Sequence, residues 1–164
     1  DERQSRYVSH FGLSDSYTPQ AVVDGRLQFV GNNPFAMVRA VQEAARSSKE
    51  SLTIENAHWE KGGVEFTVQT TAGNGAELEA ALAEDATHRE VTAGENAGRV
   101  LHHVAVVRVM KNFGAKAFDG RPLRLANGGL MHGEDAKVPV RLVVFAEDRK
   151  TGHILAVAEQ TLAR

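Results

Sequence analysis

Y-T-P-Q-A-V-V-D-G-R-L-Q-F-V-G, residues 17–31, decides how the first third of the chain is read. Ala21, Val22 and Val23 are strand formers, Asp24-Gly25 is a strong signal for a two-residue hairpin turn, and Leu27, Phe29 and Val30 supply the returning strand. Pro19 fits the head of the first strand, where its missing N–H breaks no ladder bond, and Thr18-Pro19 is a place where a cis peptide can sit. Working outward, residues 2–11 read as the end of a helix, with Tyr7, Val8 and Phe11 on one face and Gly12 at the C-cap. Its uncapped start leads us to expect more helix upstream. On the other side, Asn32-Asn33 supplies an N-cap and Pro34 suits the first helical turn. Phe35, Met37, Val38, Val41 and Ala45 then recur at helical spacing to about Arg46. The polar stretch Ser47–Ser51 is read as a domain boundary.

From Leu52 the period changes to two. Leu52 and Ile54, then Val64, Phe66 and Val68, alternate with polar residues around a turn at Lys61-Gly62-Gly63. Residues 76–84 have helical propensity but stand among short strands and glycine turns, so a strand is expected. Residues 88–91 give a brief strand. Val100–Met110 reads as one strand buried on both faces, with Val104 or Val106 between sheets. Leu123 and Leu125 precede a glycine-rich charged loop to Lys137, and Val138–Ala146 and His153–Thr161 form a last pair. Short strands at this spacing predict a β-sandwich.

Composition excludes several classes. The 164 residues carry a formal net charge of −2, so no basic excess argues for nucleic acid. No apolar run approaches the roughly 20 residues of a membrane-spanning helix, and no transmembrane segment is expected. Cysteine is absent, which removes disulfides, thiolate nucleophiles and Cys-based zinc sites from this chain.

Three spaced motifs carry a family likeness: R-Q at Arg3-Gln4, Y-T-P-Q-A-V-V-D-G-R at 17–26 and G-E-N-A-G-R-V-L-H-H at 94–103. With the closing V-R-L-V-V-F-A-E-D-R-K-T-G-H-I-L at 140–155, they resemble the secreted, thioredoxin-like bacterial family catalogued as domain of unknown function 1223. The resemblance implies that residues 1–48 are the carboxyl half of a thioredoxin-like α/β domain, and that a C-x-x-C half stands upstream. It also implies a periplasmic or secreted location. In such proteins the proline is cis, and it and the residue before it face an extended peptide; the resemblance therefore implies a cis Thr18-Pro19 bond and makes Thr18 and Pro19 the substrate-facing positions. The alternative is that Pro19 only shapes a loop.

Other constellations favour structural roles. His102 and His103 are adjacent on a strand and point to opposite faces. His88, His132 and His153 lack the spacing of a zinc site, so surface or hydrogen-bonded histidines are expected and no metal or cofactor is assigned. Glu95, Asn96 and Arg99 belong to a turn-rich segment read as a structural loop, with a Glu95–Arg99 interaction. That segment is not a phosphate loop, because it lacks the Lys and Ser/Thr and leads into a strand.

The expected architecture is therefore α+β: a partial thioredoxin-like unit, 1–48, followed by an antiparallel β-sandwich, 51–164. Its function is expected to be non-catalytic binding or scaffolding, the alternative being a thiol–disulfide redox protein whose cysteines lie upstream. The face of Val22, Phe29, Val38 and Val41 is expected to be covered by a protein partner or by an N-terminal half. Without that cover an exposed apolar patch should remain.

Overall fold

A computed structural model describes residues 2–73, 75–94, 97–128, 130 and 138–162. Helix α1, Glu2–His10, comes first. It closes on Gly12, at φ 61°, with Gly12 N–H donating to Ser9 O and Leu13 N–H to Val8 O. These two bonds satisfy the carbonyls that a helix end leaves free. The hairpin follows as β1, Gln20–Val23, and β2, Leu27–Val30, after a cis Thr18-Pro19 peptide. Asp24 and Gly25 both take left-handed φ, 61° and 65°, but the expected two-residue loop is corrected to three: Val23 pairs with Leu27, and Arg26, whose N–H donates to Val23 O at 3.0 Å, is the extra residue between turn and ladder. Helix α2, Pro34–Ala44, starts where Asn33 Oδ1 accepts the Ala36 amide at 3.0 Å.

Nine strands follow in the described residues: β3 (Leu52–Glu60), β4 (Gly63–Thr70), β5 (Ala76–Glu84), β6 (Thr87–Glu90), β7 (Val100–His103), β8 (Val106–Gly114), β9 (Leu123–Ala126), β10 (Val140–Asp148) and β11 (Ile154–Leu162). A 3₁₀ turn, Ala115–Asp119, separates β8 from β9. All the strand pairs are antiparallel. A four-stranded sheet runs β11-β10-β5-β8 and a three-stranded one β3-β4-β9, while β1-β2 and β6-β7 are two-stranded. One apolar cluster draws on both larger sheets: Val64 and Phe66 from β4, Leu78 and Leu82 from β5, Leu125 from β9, Leu142 and Val144 from β10. The chain is thus mixed α and β, with few helices and antiparallel sheets.

The strand expected at Val100–Met110 is corrected. It is two strands, β7 and β8, parted at Ala105, whose φ is 54°. Val104 is 75% exposed and Val106 half-buried, so neither lies in the core. The reason is position. β8 is the edge of its sheet, whereas the central strands β5 and β10 are the ones buried along nearly their whole length. A run of Val cannot announce whether neighbours flank it on both sides. The strand at 76–84, by contrast, is present as β5 despite its helix-forming residues; tertiary pairing overrides propensity there.

α2 lies against the hairpin, in contact with β1, and Ala36, Ala40 and Glu43 flank a shallow pocket shared with Leu27 and Phe29. Ala40 is buried. Its opposite face leaves Phe35 82%, Val38 56% and Val41 52% exposed, next to exposed Val30. Val22 and Phe29 are half-buried. No helix among the described residues is long and apolar enough to cross a membrane.

Candidate functional site: a cleft between the hairpin and the four-stranded sheet

Three parts meet around an open cleft of about 630 Å³: α1, the approach to β1, and the outer face of the four-stranded sheet. Each part is fastened by a different interaction. The floor comes first. Glu79 on β5 and Glu147 on β10 are both buried, on the face opposite the apolar core. A buried carboxylate is costly unless paired, and α1 supplies the pairs. Arg3 donates to Glu79 at 2.6 Å and to Glu147 at 2.7 Å, and Arg6 approaches the same two at 3.3 and 3.5 Å. The Arg3 guanidinium also lies 5.3 Å from the ring centres of Tyr7 and Phe145. It donates to the Tyr7 hydroxyl as well, at 2.9 Å.

Burial works against the Arg3 charge, but Tyr7, Glu79 and Glu147 outweigh it and hold the group above its ordinary range. Burial pushes the Tyr7 phenol up, against the opposing pull of Arg3. Both groups therefore keep their protons near neutral pH. Arg3 and Tyr7 act as a cation and a neutral hydroxyl that pin α1 to the sheet.

The hairpin is fastened at its tip. Ile154 N–H at the start of β11 donates to the Asp24 carbonyl at 3.0 Å. A Cβ on Gly25 would overlap the Gly152 carbonyl, so only glycine lets the turn approach the β10–β11 connection so closely. The Asp24 carboxylate, largely buried, takes Lys49 Nζ at 2.7 Å and Arg26 at 3.8 Å. Next to this contact the His10 and His153 rings meet edge to face, with centres 6.0 Å apart. Burial, then Arg26 and His10, pull His153 below its usual range.

Along β1 the backbone ladder shows which groups remain open. Gly31 N–H donates to Pro19 O at 2.8 Å, and the register pairs Ala21 with Phe29 and Val23 with Leu27. Hydrogen-bonded and open pairs alternate in an antiparallel ladder. Gln20 and Val22 thus turn their amides and carbonyls to the free edge of β1. Both residues line the cleft, together with Thr18. Opposite them are Met110 on β8, Phe145 on β10, and Ile154 and Val157 on β11.

The structure places the sequence-derived residues as follows. Thr18 is in the cleft wall, while Pro19 serves the ladder through its carbonyl. Arg99 is on the turn between β6 and β7, where its carbonyl accepts the Val91 amide at 2.9 Å. Glu95 and Asn96 lie outside the described residues, and with them the expected contact to Arg99. His102 and His103 are exposed on β7. His132 also lies outside the described residues. Among the described residues no group of three His, Asp or Glu is placed to hold a metal ion. Sequence reasoning missed the floor. Its one signal was acid inside apolar strands, E-L-E-A-A-L-A-E and L-V-V-F-A-E-D, which demands a basic partner somewhere.

Residues 1–142 match the family described as "Protein of unknown function (DUF1223)". The chain belongs to DUF1223. Neither the curated proteins nor the solved structures give a significant match. The DUF1223 match takes in α1, the hairpin and Met110, and stops short of Phe145, Ile154 and Val157 on the cleft floor.

Proposed function

We propose that this DUF1223 chain is a non-catalytic binding module of a secreted or periplasmic thioredoxin-like protein, and that the cleft receives an extended segment of another polypeptide along the free edge of β1. In this reading residues 1–48 are the carboxyl half of a thioredoxin-like unit, 51–164 are a β-sandwich, and Thr18 and Pro19 open the binding strand. The observation that carries it is the row Thr18, Gln20 and Val22 along one cleft wall, at the two-residue spacing whose backbone groups face outward. An extended segment would complete that ladder as a third strand, which a two-stranded ribbon lacks. The element order α1, β1, β2, α2 supports the thioredoxin-like reading, and the location comes with the family resemblance. The exposed face of Val38 and Val41, with half-buried Val22 and Phe29, supports a protein cover on the helix side.

The test is a titration of the ¹⁵N-labelled chain with a permanently unfolded, reduced and alkylated protein. Amide shifts should concentrate at Thr18, Gln20 and Val22 and at Tyr7. Shifts confined to α2, or no shifts, would overturn the proposal.

A further inference from the structure

We propose that the segment received by the cleft is uncharged and carries apolar side chains at every second position, selected by the sheet floor rather than by the hairpin. This rests on the strand-edge reading above and goes on to name the ligand class. Three observations carry it.

The first is charge. Every ion on the cleft wall is already matched from within the chain: Arg3 by Glu79 and Glu147, and Asp24 by Lys49 and Arg26. A charged ligand side chain entering here would lose its water and find no free counter-charge. The second is the kind of hydrogen bonding on offer. The β1 edge presents main-chain groups at Gln20 and Val22, which any sequence can satisfy, so the hairpin gives affinity without choosing residues.

The third is the floor. Phe145 and Val157 are direct cross-strand partners on β10 and β11, and Met110 stands on the same face from β8. Met110 is 38% and Val157 51% exposed, an apolar ledge left open beside buried Phe145. Successive side chains of an added strand alternate between two faces. Only one set would rest on this ledge, and the other would face solvent. The specificity-determining residues are then Met110, Phe145 and Val157.

The experiment is calorimetry with three capped hexapeptides: alternating Thr and Val, the same composition as a Val block followed by a Thr block, and the alternating peptide with Glu at a central Val. Each is titrated into the native chain and into the variants Val157→Lys and Met110→Lys, whose half-exposed sites tolerate a lysine. The alternating peptide should bind about tenfold more tightly than the other two, and both variants should lose about tenfold for it. Binding of all three peptides within about twofold, or unchanged affinity in both variants, would overturn floor selection. Amide shifts of the ¹⁵N-labelled chain, recorded in parallel titrations with the same peptides, separate the two proposals. Shifts at Gln20 and Val22 without peptide discrimination leave the strand-edge reading standing, whereas their absence removes both.

Discussion

On the inner face of β5, Leu78, Ala80 and Leu82 are fully buried against side chains such as Val64, Phe66 and Leu125. On the outer face of the same strand Glu79 is as deeply placed, yet what covers it is Arg3 and Arg6 of α1. The inner face is held by area removed from water, the outer by a square of two carboxylates and two guanidiniums. The first kind of contact tolerates salt and forgives small shifts of geometry. The second is specific in register, because breaking one pair strands a charge. The difference suits their tasks. The inner face keeps two sheets together, and the outer face sets α1 and the hairpin at a fixed height above a cleft.

That contrast can be broken first at the core. Phe66→Ala should cost about 3–5 kcal/mol by cavity formation and lost burial, with little dependence on salt. Urea melts at low and high ionic strength measure it. Arg3→Ala comes next. Complete removal of a partner from a buried pair costs about 3–5 kcal/mol, but Arg3 is partly exposed and Arg6 remains, so about 2 kcal/mol is expected. Hydrogen exchange should speed up in α1 and leave β5 unchanged. If β5 loosens equally, the clamp and the core are one cooperative unit and the contrast fails.

Gly25→Ala tests the hairpin's fastening. Its left-handed φ alone costs a residue with a Cβ about 1–2 kcal/mol, and the overlap with Gly152 adds to it. The expected result is release of the tip, read as loss of protection at the Ile154 amide. The smallest effect is electrostatic. The folded pKa of His153 is lowered below its unfolded value, so the unfolded chain binds the extra proton first. Its contribution to stability is whole above about pH 6.5 and falls as pH drops through the folded value. His153→Asn should flatten the slope of stability against pH in that window and leave the slope near pH 8 unchanged.

The hairpin was legible because its instructions are local: Asp24-Gly25 for the turn, Asn33-Pro34 for the next helix. β5 was legible from the glycine turn before it and the short strands around it. The burial of Val100–Met110 was not, since central and edge strands differ in their neighbours and not in their own residues. The cleft floor was hidden for a related reason. Arg3 meets Glu79 and Glu147 across 76 and 144 positions of chain, and no local pattern encodes such a meeting. Thr18 could be found from the proline loop, but Met110, Phe145 and Val157 are ordinary strand residues until the fold brings them opposite it.

The most direct test of the account is amide hydrogen exchange along β1, with and without the alternating Thr–Val hexapeptide. Gln20 and Val22 should exchange rapidly in the free chain and become protected when the peptide is bound, while Ala21, already paired with Phe29, should change little. Protection of Ala21 alone, or of none of the three, would contradict a ligand strand on the free edge of β1.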